Sequence, residues 1–129
     1  MKLLLSLFFL FSSYTSSETV KIELVGFKND KGKAYVRIRD VNDKVISQKI
    51  ISIKDKKASI TIDSNGVNSV AVDAYHDENG NGKMDFNLFG APTEAWGVSS
   101  ENRPMLRAPT LEEILVPVKK GSVVIVKMK

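Results

Sequence analysis

The chain has no cysteine and a single histidine among its 129 residues. Disulfide staples are thereby excluded, and so are the Cys and His sets that hold structural zinc. Its one strongly apolar run, residues 3–11, is far shorter than the roughly 20 residues needed to cross a bilayer, so no membrane anchor is expected. No serine sits in a G-x-S-x-G elbow, which removes the commonest hydrolase nucleophile motif. Basic residues are scattered through turns, as at Lys28, Lys31, Lys54, Lys56, Lys57, Lys119 and Lys120, and do not gather on one element with interleaved aromatics. That distribution describes a solvated surface, and no nucleic-acid partner is expected. Nowhere do apolar residues recur at helical spacing for more than a turn.

What is present begins with a charged start at Lys2, the apolar run 3–11 broken only by Ser6, and the small polar stretch 12–17. With Thr15 and Ser17 at positions −3 and −1, this pattern predicts a secretory signal peptide cleaved after Ser17. The expected product is an exported protein, periplasmic or extracellular, with one domain over residues 18–129. Removal of Lys2 leaves 18 basic residues against 15 acidic ones, a net charge of +3. A chain of about 112 residues buries roughly two thirds of its surface, enough for one core without cross-links.

In that domain apolar residues alternate with polar ones, the period of a half-buried strand. Val20, Ile22 and Leu24 form one such row, and Ala34, Val36 and Ile38 a second. A third strand is expected over 44–53, where the doublets Val45-Ile46 and Ile50-Ile51 suggest a bulge or a change of sheet. Further strands are expected at 58–62, 70–74, 114–118 and 122–128, separated by turns rich in Asn, Asp and Gly. Seven short strands predict an all-β fold: a single immunoglobulin-like or transthyretin-like β-sandwich, with a small closed barrel as the alternative. From 76 to 112 no period of either kind is visible. An aperiodic stretch of that length inside a small domain is usually functional.

The stretch opens with Asp77, Asn79, Asn81 and Asp85 at relative positions 1, 3, 5 and 9, and with Gly82 at position 6. This is the beginning of the calcium-loop pattern D-x-[DN]-x-[DN]-G. Ca²⁺ takes six to eight hard oxygen ligands, alternate side chains of a tight loop converge on one point, and the glycine permits the sharp turn. The carbonyl of Lys83 would serve position 7. Position 12, where an EF-hand places its bidentate Glu, is Leu88, so the loop is expected to sit between strands and to be closed by a later carboxylate, Glu94. Glu112 and Glu113 are the other candidates for closure. Mg²⁺ fits less well because it prefers to keep several waters. The competing reading is a rigid turn, since Asn, Asp and Gly also serve side-chain caps and left-handed positions.

Residues 76–85, HDENGNGKMD, together with 89–99, FGAPTEAWGVS, resemble a family of small exported bacterial proteins, the domain of unknown function DUF2141. The segments 25–32 and 109–113 resemble it too, so the likeness covers nearly the whole mature chain. The pattern departs at Ala95, Val98 and Ser100. The resemblance implies export and a β-sandwich and brings no activity with it.

His76, beside Asp77, is expected to be structural, bonding loop backbone or a ligating carboxylate. Trp96 and Phe89 are expected to pack onto the sandwich end, with a sugar-stacking platform as the sharper alternative. The row Tyr35, Arg37 and Arg39 reads as a wet sheet face. Carboxylates at Asp77, Asp85, Glu94, Glu112 and Glu113 have no spacing that fixes the separation glycoside hydrolysis requires. No catalysis is expected. The sequence supports an exported calcium-binding module with an envelope or extracellular partner, of which a glycan is the sharpest version, or a purely structural domain.

Overall fold

Strict alternation produces, in the first two strands of the domain, elements whose every second residue is buried. The computed structural model describes residues 18–64, 66–101, 104 and 107–129; the expected signal peptide lies outside them. The strands are β1 (Thr19–Val25), β2 (Lys33–Arg39), β3 (Val45–Ser52), β4 (Lys57–Asp63), β5 (Ser69–Asp77), β6 (Trp96–Val98), β7 (Leu115–Pro117) and β8 (Val123–Lys127), with a one-turn helix α1 (Leu111–Ile114) before β7. They form a three-stranded sheet in the order β4-β1-β8 and a five-stranded one in the order β3-β2-β5-β6, with β7 also on β5. Neighbours are antiparallel except β1 and β8, which run parallel.

The expected rows are the core. Val20, Ile22 and Leu24 from one sheet meet Ala34, Val36, Ile38, Val70 and Val72 from the other, closed by Val124, Val126 and Met128. Edge strand β3 instead exposes Val45, Ile46 and Ile50. The bulge reading holds at the first doublet: the register with β2 shifts between Ile38 and Arg39, where Ile46 is the extra residue, whereas Ile50 and Ile51 pair regularly with Tyr35 and Ala34 and the chain changes sheet only after β3 ends.

Two features modify the expected layout. β5 runs three residues beyond Ala74, because Tyr75, His76 and Asp77 continue the register with Tyr35, Ala34 and Lys33 of β2. The expected aperiodic stretch also contains β6 and the start of α1. β6 bonds to β5, and Trp96 exchanges two backbone hydrogen bonds with Lys129 at 3.0 and 3.1 Å, which stitches the two sheets together along one side. This seam has no room for a side chain at Gly97, where a Cβ would lie 2.7 Å from the Lys127 carbonyl oxygen. Among the described residues no helix is long and apolar enough to cross a membrane.

Candidate functional site: a carboxylate-stapled loop over the outer face of the larger sheet

β5 sends alternate side chains to opposite faces. His76 points inward, 1% exposed, with its Nε2 2.5 Å from the Lys31 carbonyl oxygen and Phe27 edge-on to its ring. A carbonyl only accepts, so Nε2 carries the proton. The histidine is thus a strut between β5 and the turn before β2: structural as expected, but bonded to that turn and not to the loop after β5 or to one of its carboxylates. The same turn approaches β5 closely: a Cβ on Gly32, whose φ is +63°, would stand 1.9 Å from the Asp77 carbonyl oxygen.

Asp77, the last residue of β5, is 2% exposed and begins the loop. Its Oδ1 accepts from the Asn81 N–H at 3.1 Å and its Oδ2 from the Gly82 N–H at 2.8 Å. Positive φ at Gly80 and Gly82, +73° and +78°, turns the chain tightly enough for that. Asn79 Oδ1 accepts from Asn81 N–H, and Asn81 Oδ1 from Lys83 N–H, each an Asx turn. The two side-chain amides then converge on Asp85: Asn79 Nδ2 donates to Oδ2 at 2.5 Å and Asn81 Nδ2 to Oδ1 at 2.6 Å. These two donors hold the Asp85 carboxyl below the ordinary carboxylate range, since they stabilise its charged form. Tyr75, stacked on Tyr35 with centroids 4.9 Å apart, donates its hydroxyl to the Gly82 carbonyl and anchors the loop to the sheet.

Glu94 does return to the loop. Buried to 9% exposure, it accepts from Glu78 N–H through Oε2 at 2.9 Å and from Asp85 N–H through Oε1 at 3.0 Å, clamping both ends of the turn. Glu113 is elsewhere: it pairs with Arg107 and closes a capping box with Thr110 on α1. Glu112 lies exposed in the same helical turn. The structure therefore brings Asp77, Asn79, Asn81, Asp85 and Glu94 together, with Lys83 in the turn between them. Among the described residues no group of three or more His, Asp or Glu forms a metal cluster; the Asn79 and Asn81 amides turn their Nδ2 groups to Asp85 and their oxygens to backbone N–H groups.

Beyond Asp85 lies a second small turn that the sequence reading did not resolve. Phe86 bridges to Pro92, and Asn87 Oδ1 accepts from the N–H groups of Phe89 and Ala91. Its tip exposes Leu88 and Phe89 almost fully. Phe89 thus does not pack onto the sandwich, whereas Trp96 does, against the cluster of Ala71, Val98 and Ile114. The Tyr35, Arg37, Arg39 face is not simply wet either. Arg37 and Arg39 both reach Asp73 across the strand pair, Arg39 also holds Asp43, and the sheet here forms the floor of a cleft walled by the Phe86–Pro92 turn and Trp96.

Sandwich and loop together define a small two-sheet β domain with a polar loop folded over one outer face. The chain belongs to the DUF2141 family, described as an uncharacterized protein conserved in bacteria, whose model matches residues 22–126. No curated protein and no solved structure gives a match to the chain.

Proposed function

We propose that this is an exported calcium-binding module of the bacterial cell envelope, acting by binding rather than catalysis, with the ion held by Asp77, Asn79, Asn81, the Lys83 carbonyl, Asp85 and Glu94. One observation carries the reading: the side chains at positions 1, 3, 5 and 9 of the calcium pattern lie within one connected hydrogen-bonded network. Two carboxylates accept donors from the same turn, so positive charge is what the centre of the loop attracts. A half-turn of each Asn amide replaces an N–H₂ by an oxygen in the same place, which is the change a cation would require. The carboxylate oxygens of Asp77 and Glu94 that accept backbone N–H groups each keep a second lone pair.

The second reading, a metal-free rigid turn, rests on the same network. Asp77, Asp85 and Glu94 each accept two donors from the chain itself, so the loop is held without an ion. Thermal melting in calcium and in chelator separates the two. For a Kd of about 0.1 mM, near the extracellular-module range, about 2 mM Ca²⁺ stabilises the fold by roughly 1.8 kcal/mol. In a domain of this size that raises Tm by several degrees, up to about 10 °C. Identical curves in the two conditions leave only the rigid turn. Export is tested separately by intact mass: the protein recovered from the periplasm or medium starts at Glu18, and a recovered chain still carrying residues 3–11 overturns that part of the proposal.

A further inference from the structure

Next to the loop, on the outer face of the five-stranded sheet, lies a cleft of about 590 Å³. That is within the roughly 300–1,000 Å³ typical of small-molecule sites. Its floor is the cross-strand pair Arg37 and Asp73, in which Arg37 Nε lies 3.1 Å from each carboxylate oxygen and Nη2 2.9 Å from one of them. Its sides are aromatic: Tyr75 and Trp96 from the sheet, Phe86 and Phe89 from the turn beyond Asp85. Phe86 is 59% and Phe89 95% exposed, an apolar wall that the fold leaves uncovered. Arg39 also lines the cleft, and its Nε is buried with no acceptor among the described residues. Buried donors are nearly always satisfied, so this atom marks a place where an acceptor is missing.

We infer that the cleft is a binding site for a neutral saccharide. Charge decides against an anion: Arg37, Arg39 and Arg107 at the cleft are matched by Asp73, Asp43 and Glu113. What remains is a fixed donor beside a fixed acceptor, the complement of vicinal hydroxyls, each of which both donates and accepts. Aromatic rings flank that polar floor, and the C–H faces of a pyranose are the apolar surfaces that stack on them. The inference rests on the binding-module reading but not on calcium, although Met84 and Phe86, which flank Asp85, both line the cleft and tie its shape to the loop.

Trp96, the only tryptophan, lines the cleft and reports on it directly. Its fluorescence is followed during titration with cellopentaose, chitopentaose and maltopentaose, and with pentagalacturonate as the acidic comparison, first in chelator and then in calcium. Saturable quenching or a spectral shift with at least one neutral pentasaccharide, absent with pentagalacturonate, is expected. Arg37→Gln removes a charge-assisted contact and weakens binding about tenfold or more. Phe89→Ala, at a fully exposed position that folding does not depend on, weakens it severalfold. Silence with all three neutral sugars, a response to the acidic one alone, or unchanged affinity in Phe89→Ala each overturns the inference. The calcium melting shift is read on the same samples, so loss of the sugar response with the shift intact refutes the saccharide site and leaves the metal reading standing.

Discussion

At the scale of single residues the site depends on Gly32, which touches no ligand, and on Glu94, which clamps the loop and is one of the proposed ligands. Gly32 is pressed against the carbonyl of Asp77 and held at positive φ. Gly32→Ala must pay the left-handed penalty of about 1–2 kcal/mol and also push the end of β5 aside. Denaturant unfolding is expected to show a loss above that range, and calcium affinity falls with it because Asp77 is displaced. Glu94 clamps Glu78 and Asp85 from a buried position and is followed two residues later by Trp96. Glu94→Gln retains one acceptor oxygen and loses the charge. Calcium titration should therefore show weakened binding and a reduced Trp96 fluorescence change with a shared midpoint; wild-type affinity in this variant would leave Glu94 a backbone clamp and nothing more.

At the scale of elements, the shortest ones carry the most position-specific constraints. β6 has three residues and fits against β8 only because Gly97 has no side chain, so Gly97→Ala is expected to lower Tm by several degrees or more and to open the seam, seen as faster exchange of the Trp96 and Lys129 amides. Helix α1 is a single turn held by its capping box, with Arg107 on Glu113 drawing that carboxyl below the usual glutamate range. A depressed folded-state value means that this contribution is complete above the ordinary glutamate range and is lost as pH falls through the lowered one. Carbon-detected titration should place Glu113 below the exposed glutamates, and Arg107→Gln should bring it back up. The strands β1, β2, β4, β5 and β8 were legible because each carries an inward-facing apolar row at every second position, although Ala71 of β5 is also buried on the opposite face. β6 was not, since three residues with a central glycine show no period. Helix α1 was not expected either, because one turn is too short to produce a helical row. Within the site, the grouping of the loop residues with Glu94 was readable from spacing and turn chemistry. The cleft beside it was not, because Arg37, Asp73 and Phe89 are brought together only by strand register and by the second turn.

At the scale of the molecule, stability lies in the apolar rows between the sheets, while the loop and cleft to which function is assigned by proposal are laid over one outer face. Ile22 has no exposed surface and sits at the middle of β1. Ile22→Ala is expected to cost about 2–5 kcal/mol, measured by denaturant unfolding, while leaving the calcium-induced shift in Tm unchanged. The parallel pairing of β1 with β8 also has a meaning in time. Lys21 lies opposite Val123, so the first strand waits for the last before its second edge is covered. At about 5–20 residues per second, synthesis of the intervening hundred or so residues takes roughly 5–20 s. Throughout that interval the smaller sheet lacks one of its three strands and the core lacks Val124, Val126 and Met128, so the sandwich is not yet closed. Ribosome-bound chains stalled at Val118 should be fully digested by protease, and resistance should appear only once residues 123–127 have cleared the exit tunnel.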